Sequence, residues 1–182
     1  MDASVGLRLR TPRAAAVAGI AFAILLGSAY VLIRFSIPTE PAESHWLAER
    51  SSAVRLALGL VPFAGIAFLW FVGVVRDRIG DREDRFFSTV YTGSGLLFLA
   101  MVFVSAAAAG SLVATYGIGA DEMIDSGVYT YGRDIVYQVN NVYSVRMAAV
   151  FMISLGTVGF RTRAMPLCLN AVTYALAIGC SL

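Results

Sequence analysis

The sequence predicts an all-α fold, a polytopic transmembrane helical bundle of about five spans, with residues 1–182 forming a single integral membrane domain. Three observations predict it. Hydrophobic residues make up 58% of the chain and charged residues 14%, where a soluble domain carries about 25% charge. The apolar residues fall in long unbroken runs, and about 20 of them in a helix cross roughly 30 Å of hydrocarbon. The charges gather in the short segments between the runs, as they do beside membrane spans.

The runs, in order, justify each element. The first, Ala14–Phe35, is longer than the roughly 7–15 apolar residues of a signal-peptide core, and no A-x-A cleavage site follows, so it reads as a retained span. Within it Ala15, Gly19, Ala23 and Gly27 recur every four residues. This small-xxx-small stripe permits close backbone approach, either within the bundle or against a partner subunit. The second run, Val54–Val75, contains Pro62, which kinks a helix or frees a carbonyl. The third, Ser88–Ala114, holds the small-residue segment "SAAAAGS". The segment Tyr116–Asp134 is Gly-rich and acidic and reads as a loop, with Tyr116, Tyr129, Tyr131, Tyr137 and Tyr143 as an interfacial aromatic belt.

The fourth run, Asn141–Phe160, carries Arg146 beside Asn140, Asn141 and Tyr143. Arg146 either snorkels to the interface or marks an anion or headgroup site. The fifth, Ala164–Leu182, places Asn170, Thr173 and Tyr174 on one helical face. Together with Arg146 these form the candidate intramembrane polar site. The alternative is ordinary hydrogen bonding to a neighbouring helix.

Orientation follows from arginine, which supplies every basic residue, since the chain has no lysine. Nine arginines lie before the first run or in the segments after the second and fourth, and five lie on the opposite side. The positive-inside rule places the richer side in the cytoplasm, with the N-terminus inside and Leu182 outside. The expected location is a bacterial cytoplasmic membrane.

The segment after the second run concentrates charge: Arg76, Asp77, Arg78, Asp81, Arg82, Glu83, Asp84 and Arg85. If helical, it pairs Arg78 with Asp81 and Asp81 with Arg85 at neighbour spacing. Gly73, Asp77, Arg78, Gly80 and Arg82 spell G-x-x-x-D-R-x-G-x-R. This resembles the loop signature of major facilitator transporters, which lies between their second and third spans. The resemblance implies a cytoplasmic charged loop that gates an inner face. The chain departs from that family in having Glu83 and Asp84 where the family has further basic residues, and about five spans instead of twelve. The alternative is a charge-rich connection that only fixes topology.

The "RTRAMP" turn (Arg161–Pro166) and the span layout are similar to small multi-spanning bacterial membrane proteins with no assigned activity, and the resemblance implies none. Members of that group often continue into a sixth span, so it implies a shortened form.

Several chemistries are excluded. Without lysine there is no Schiff base and no P-loop. The single histidine, His45, near Glu40, Glu43 and Glu49, reads as a solvated segment rather than a metal site, and one histidine cannot ligate haem twice. Cys168 and Cys180 lie twelve residues apart on one predicted helix, about 18 Å, too far to pair. Asp121, Glu122 and Asp125 do not fit a calcium loop. No acidic residue falls in a predicted span, which disfavours a carboxylate-coupled pump. The net charge of +2 gives no nucleic-acid footprint. The expectation is a non-enzymatic accessory or structural subunit, with no metal or cofactor, whose partners are membrane lipid, another membrane subunit or itself. The alternative is a small transporter or channel.

Overall fold

The computed structural model describes residues 11–36, 46–79, 85–116, 125–161 and 167–181. They form α1 (Thr11–Ser36), α2 (Trp46–Ile79), α3 (Arg85–Tyr116), α4 (Val128–Gln138), α5 (Val145–Arg161) and α6 (Leu167–Ser181). A π-helical segment, Val139–Ser144, joins α4 to α5. No strand occurs among the described residues.

Among the described residues three stretches are long and apolar enough to cross a membrane: Val54–Asp77 with 24 residues, Ser88–Thr115 with 28 and Val128–Phe160 with 33. They contain the second, third and fourth predicted spans. α1 holds a shorter apolar stretch, Ala16–Ala29. The 15 described residues of α6 extend about 22 Å.

Two helices extend beyond the expected runs. The helix that holds the expected fourth span, Asn141–Phe160, runs on from Val128, so the expected loop Tyr116–Asp134 turns helical there. Hydropathy hides α4 because "VYTYGRDIVYQ" mixes charge, glycine and tyrosine. Yet Tyr129, Gly132, Ile135 and Val136 are half-buried at helical spacing, and α4 packs on α3. Gly127 opens the helix at φ 75°, a left-handed conformation that glycine adopts without a Cβ clash. The Tyr131 N–H donates to its carbonyl at 3.1 Å. At Gly132 a Cβ would stand 2.5 Å from Leu112 Cδ2 on α3, so glycine lets the two helices meet. The 33-residue rod is about 50 Å long and outruns a bilayer core unless strongly tilted. Its α4 end carries the exposed Arg133–Asp134 pair at 3.7 Å, and at that exposure the pair adds little stability.

The second is α2, which starts at Trp46 and ends at Ile79 around the expected run Val54–Val75. Arg76, Asp77 and Arg78, expected in the connecting loop, therefore lie in its last turns. Arginine there complements the negative end of the helix dipole.

α3 packs on α2, α4, the π-segment and α5, while α1 packs on α2 and α6 on α5. Aromatic rings lock four of these helices together. Phe68 of α2 is 2% exposed. Its ring centroid lies 4.8 Å from Phe22 of α1, 5.5 Å from Phe98 of α3 and 5.2 Å from Phe151 of α5. Phe151 stacks in turn on Tyr91 at 4.9 Å. Such tilted and offset pairs are the favourable ring geometries. A Cβ on Gly95 would stand 3.0 Å from the Phe151 ring, so the absence of a side chain there seats the ring against α3.

The exterior reverses the pattern of a soluble protein. Phe63, Ile66, Trp70, Leu97, Phe160 and Leu176 are exposed, and well under half of each spanning stretch is buried. Large apolar side chains exposed along whole helices are unusual on a soluble monomer and suit hydrocarbon.

Candidate intramembrane site

Toward the α4 end the rings give way to small side chains. Ala29, Ala57, Val61 and Val102 form a second buried cluster. Beside it α1, α2, α3 and the α4–π rod border a partly open cavity of about 100 Å³, whose walls include Leu26, Ala29, Val61, Val102, Ser105 and Asn140. The void has a local cause. Ala106 and Ala109 supply little volume where other turns of α3 carry Phe or Leu. Opposite them, the rod widens into its π-segment, a distortion frequent at functional sites, and Asn140 lies in that segment.

The polar groups of the cavity are engaged with protein. Ser105 is buried and donates to the Val136 carbonyl at 3.4 Å, a long bond that ties α3 to the rod. Ser94 and Ser154 instead donate to carbonyls of their own helices, Val90 at 2.7 Å and Val150 at 2.8 Å, a local satisfaction common for serine in helices. Among the described residues no ionisable one lines the cavity. On the outer side of α2 and α3 lies a groove of about 280 Å³ flanked by Pro62, Phe103, Ala107 and Gly110. Leu58, Val61 and Ala106 line both hollows and partition them. Pro62 has no N–H, so the Leu58 carbonyl loses its usual helical donor at this partition.

The residues expected from sequence fall elsewhere. In the stripe, Gly19 faces α2, where a Cβ would meet the Phe71 ring at 3.3 Å. Ala23 and Gly27 are exposed, and a Cβ on Gly27 would meet nothing within 4 Å. Ala15 lies on α1 with its side chain outside the described residues. A four-residue step advances about 40° beyond a full turn, so the stripe winds off the packed face. That face is Ala18, Phe22, Leu26 and Ala29.

The expected polar site is likewise divided. Tyr174 lies beside Gly156, 3.2 Å from the position of a Cβ there. Its hydroxyl meets Thr157 Oγ1 at 2.9 Å. Since Thr157 already donates to the Ile153 carbonyl at 2.8 Å, Tyr174 is the donor. Thr157 was not singled out from sequence, although a threonine beside Gly156 in an apolar helix is a recognisable interhelical partner. Thr173 is half-buried, and Asn170 lies on α6 with its side chain outside the described residues. Arg146 is exposed at the start of α5, roughly 16 Å along the helix from Thr157, and does not join Tyr174.

In the charged segment, Arg76 and Asp77 are exposed. Arg78 is helical with its side chain outside the described residues, as Gly80, Arg82 and His45 lie entirely. The side chains of Cys168 and Cys180 on α6 are also outside them. Among the described residues no group of three or more His, Cys, Asp or Glu side chains is placed to hold a metal. The cavity offers packing and hydrogen bonds but no nucleophile–base pair. Comparison of the chain with protein-family models, with curated proteins and with solved structures finds no match.

Proposed function

We propose that this chain is a five-span bacterial inner-membrane protein, N-terminus inside and Leu182 outside, that serves as an accessory or structural subunit. It packs against another membrane protein, a second copy of itself or lipid, and performs no catalysis. The observation that carries this reading is the contrast between exterior and interior. Large apolar side chains such as Trp70 and Phe63 face outward along the long apolar helices, and among the described residues no ionisable one lines the cavity. Helices in lipid associate through packing and hydrogen bonds, and this chain keeps ample outward surface for both.

A small transporter or channel, alone or as an oligomer, is the second reading, and the cavity at Ser105 and Asn140 favours it. A hydrated path would need more polar lining than those two side chains. Extraction in gentle detergent followed by native mass measurement separates the readings. A stoichiometric second protein, or a stable homo-oligomer that conducts nothing in liposomes, supports the subunit. A purified homo-oligomer that conducts ions or solutes in liposomes would replace it with the transporter.

A further inference from the structure

We infer that the cavity beneath α4 binds the end segment of a hydrocarbon chain, the acyl chain of a membrane phospholipid, which enters from the bilayer through the α2–α3 groove. This inference rests on the membrane reading above.

The lining selects the ligand class. Its walls are mostly alanine, valine and leucine; the polar side chains among the described lining residues are Asn140 and Ser105, and Ser105 directs its hydroxyl to the Val136 carbonyl. With no charge and little polar surface, it has nothing to replace the hydration of an ion or a polar solute. An apolar cavity holds no stable water either, because water needs two to four polar partners. Left empty, its lining forfeits dispersion contacts that an inserted chain restores. Engineered apolar cavities of about 150 Å³ take up small apolar molecules for this reason.

The surroundings select the source. The cavity walls lie on α2 and α3 within the spanning stretches Val54–Asp77 and Ser88–Thr115. At that depth the species present in bulk is the lipid acyl chain. The route is also visible. The outer groove shares Leu58, Val61 and Ala106 with the cavity, so a shift of Leu58 joins the two. Leu58 has room to move because its Cδ1 faces Gly110, where even an added Cβ would lie 3.6 Å away. Pro62 removes the helical donor that would hold the Leu58 backbone.

The test uses the full chain in phosphatidylcholine vesicles containing a small fraction of phosphatidylcholine with a diazirine in one acyl chain. After irradiation, adducts are mapped by peptide mass spectrometry. The expected result is labelling at the cavity wall, at Ala109 or Val102, as well as at outward residues such as Trp70 and Leu97. Ala109→Phe fills the cavity and should cut the Val102 signal several-fold while leaving Trp70 and Leu97 labelled. Gly110→Leu blocks the groove without entering the cavity, and it should do the same if Ala109→Phe fails to fold. Labelling confined to outward residues in the unmutated chain overturns the inference and leaves the membrane reading intact. Undiminished Val102 labelling in the folded variants also overturns it. No labelling at any residue, Trp70 and Leu97 included, overturns the membrane reading and the inference with it.

Discussion

Two ends of one bundle pack in different ways. Around Phe68, rings from four helices fill the space between backbones, and even the added Cβ of Gly95→Ala would press on Phe151. Around Ser105, alanine and valine line α1, α2 and α3 opposite α4 and the π-segment and leave a cavity of about 100 Å³. The chain has enough phenylalanine to have filled both ends, but Phe63 and Phe103 are exposed. The ring end fixes how the helices cross, and the alanine end is free to accommodate something else.

Phe68→Ala should have the largest effect. Removing a buried phenylalanine costs about 3–5 kcal/mol in water-soluble cores. Here lipid replaces water as the outside reference, so a loss on the order of 2–3 kcal/mol is expected in detergent unfolding. Val102→Ala, at the cavity, should cost clearly less because its surroundings are already loose. Equal losses would erase the distinction between the two ends.

Gly95→Ala comes next. One added methyl against a ring that is buried and stacked should destabilise by about 1–2 kcal/mol, as overpacking does. Gly110→Ala, whose Cβ makes only an ordinary contact at 3.6 Å, should be neutral or slightly stabilising. Thermal melting of both variants reads the difference directly.

Much of this fold was legible because hydrocarbon imposes a simple rule, long apolar runs with charged ends, and α3 follows it closely. α4 escaped because its outward face carries Tyr131, Arg133, Asp134 and Tyr137, and polarity averaged over eleven residues masks a helix with one packed face. The cavity escaped for a different reason. Ser105 and Val136 are 31 residues apart, and no spacing along the chain says which turn of one helix will face which turn of another. The glycine stripe was readable as a pattern. Its direction was not, because a strict four-residue repeat rotates steadily around a helix of 3.6 residues per turn.

Tyr174→Phe tests the link between α5 and α6, away from both ends. Interhelical hydrogen bonds in membranes average about 0.6 kcal/mol, so a loss near that size is expected in unfolding measurements. A loss as large as that of Phe68→Ala would move the stabilising centre to α6.

The smallest effect belongs to Gly27→Leu. The site is open, and leucine is favoured over glycine in a helix by up to about 1 kcal/mol, so the isolated chain should melt no lower than the original. Loss of a co-purifying subunit in this variant, with melting unchanged, would identify the outward part of the stripe as a docking surface. Lowered melting would mean that Gly27 packs within the bundle after all.

The five-span arrangement is tested most directly by a reporter that is active only outside the cytoplasm, fused at Gly80 and, separately, after Leu182. The α2–α3 connection should silence it at Gly80. If α6 crosses as proposed, the fusion after Leu182 is active. If only the three long apolar stretches cross, that fusion is silent too, and the five-span account is contradicted.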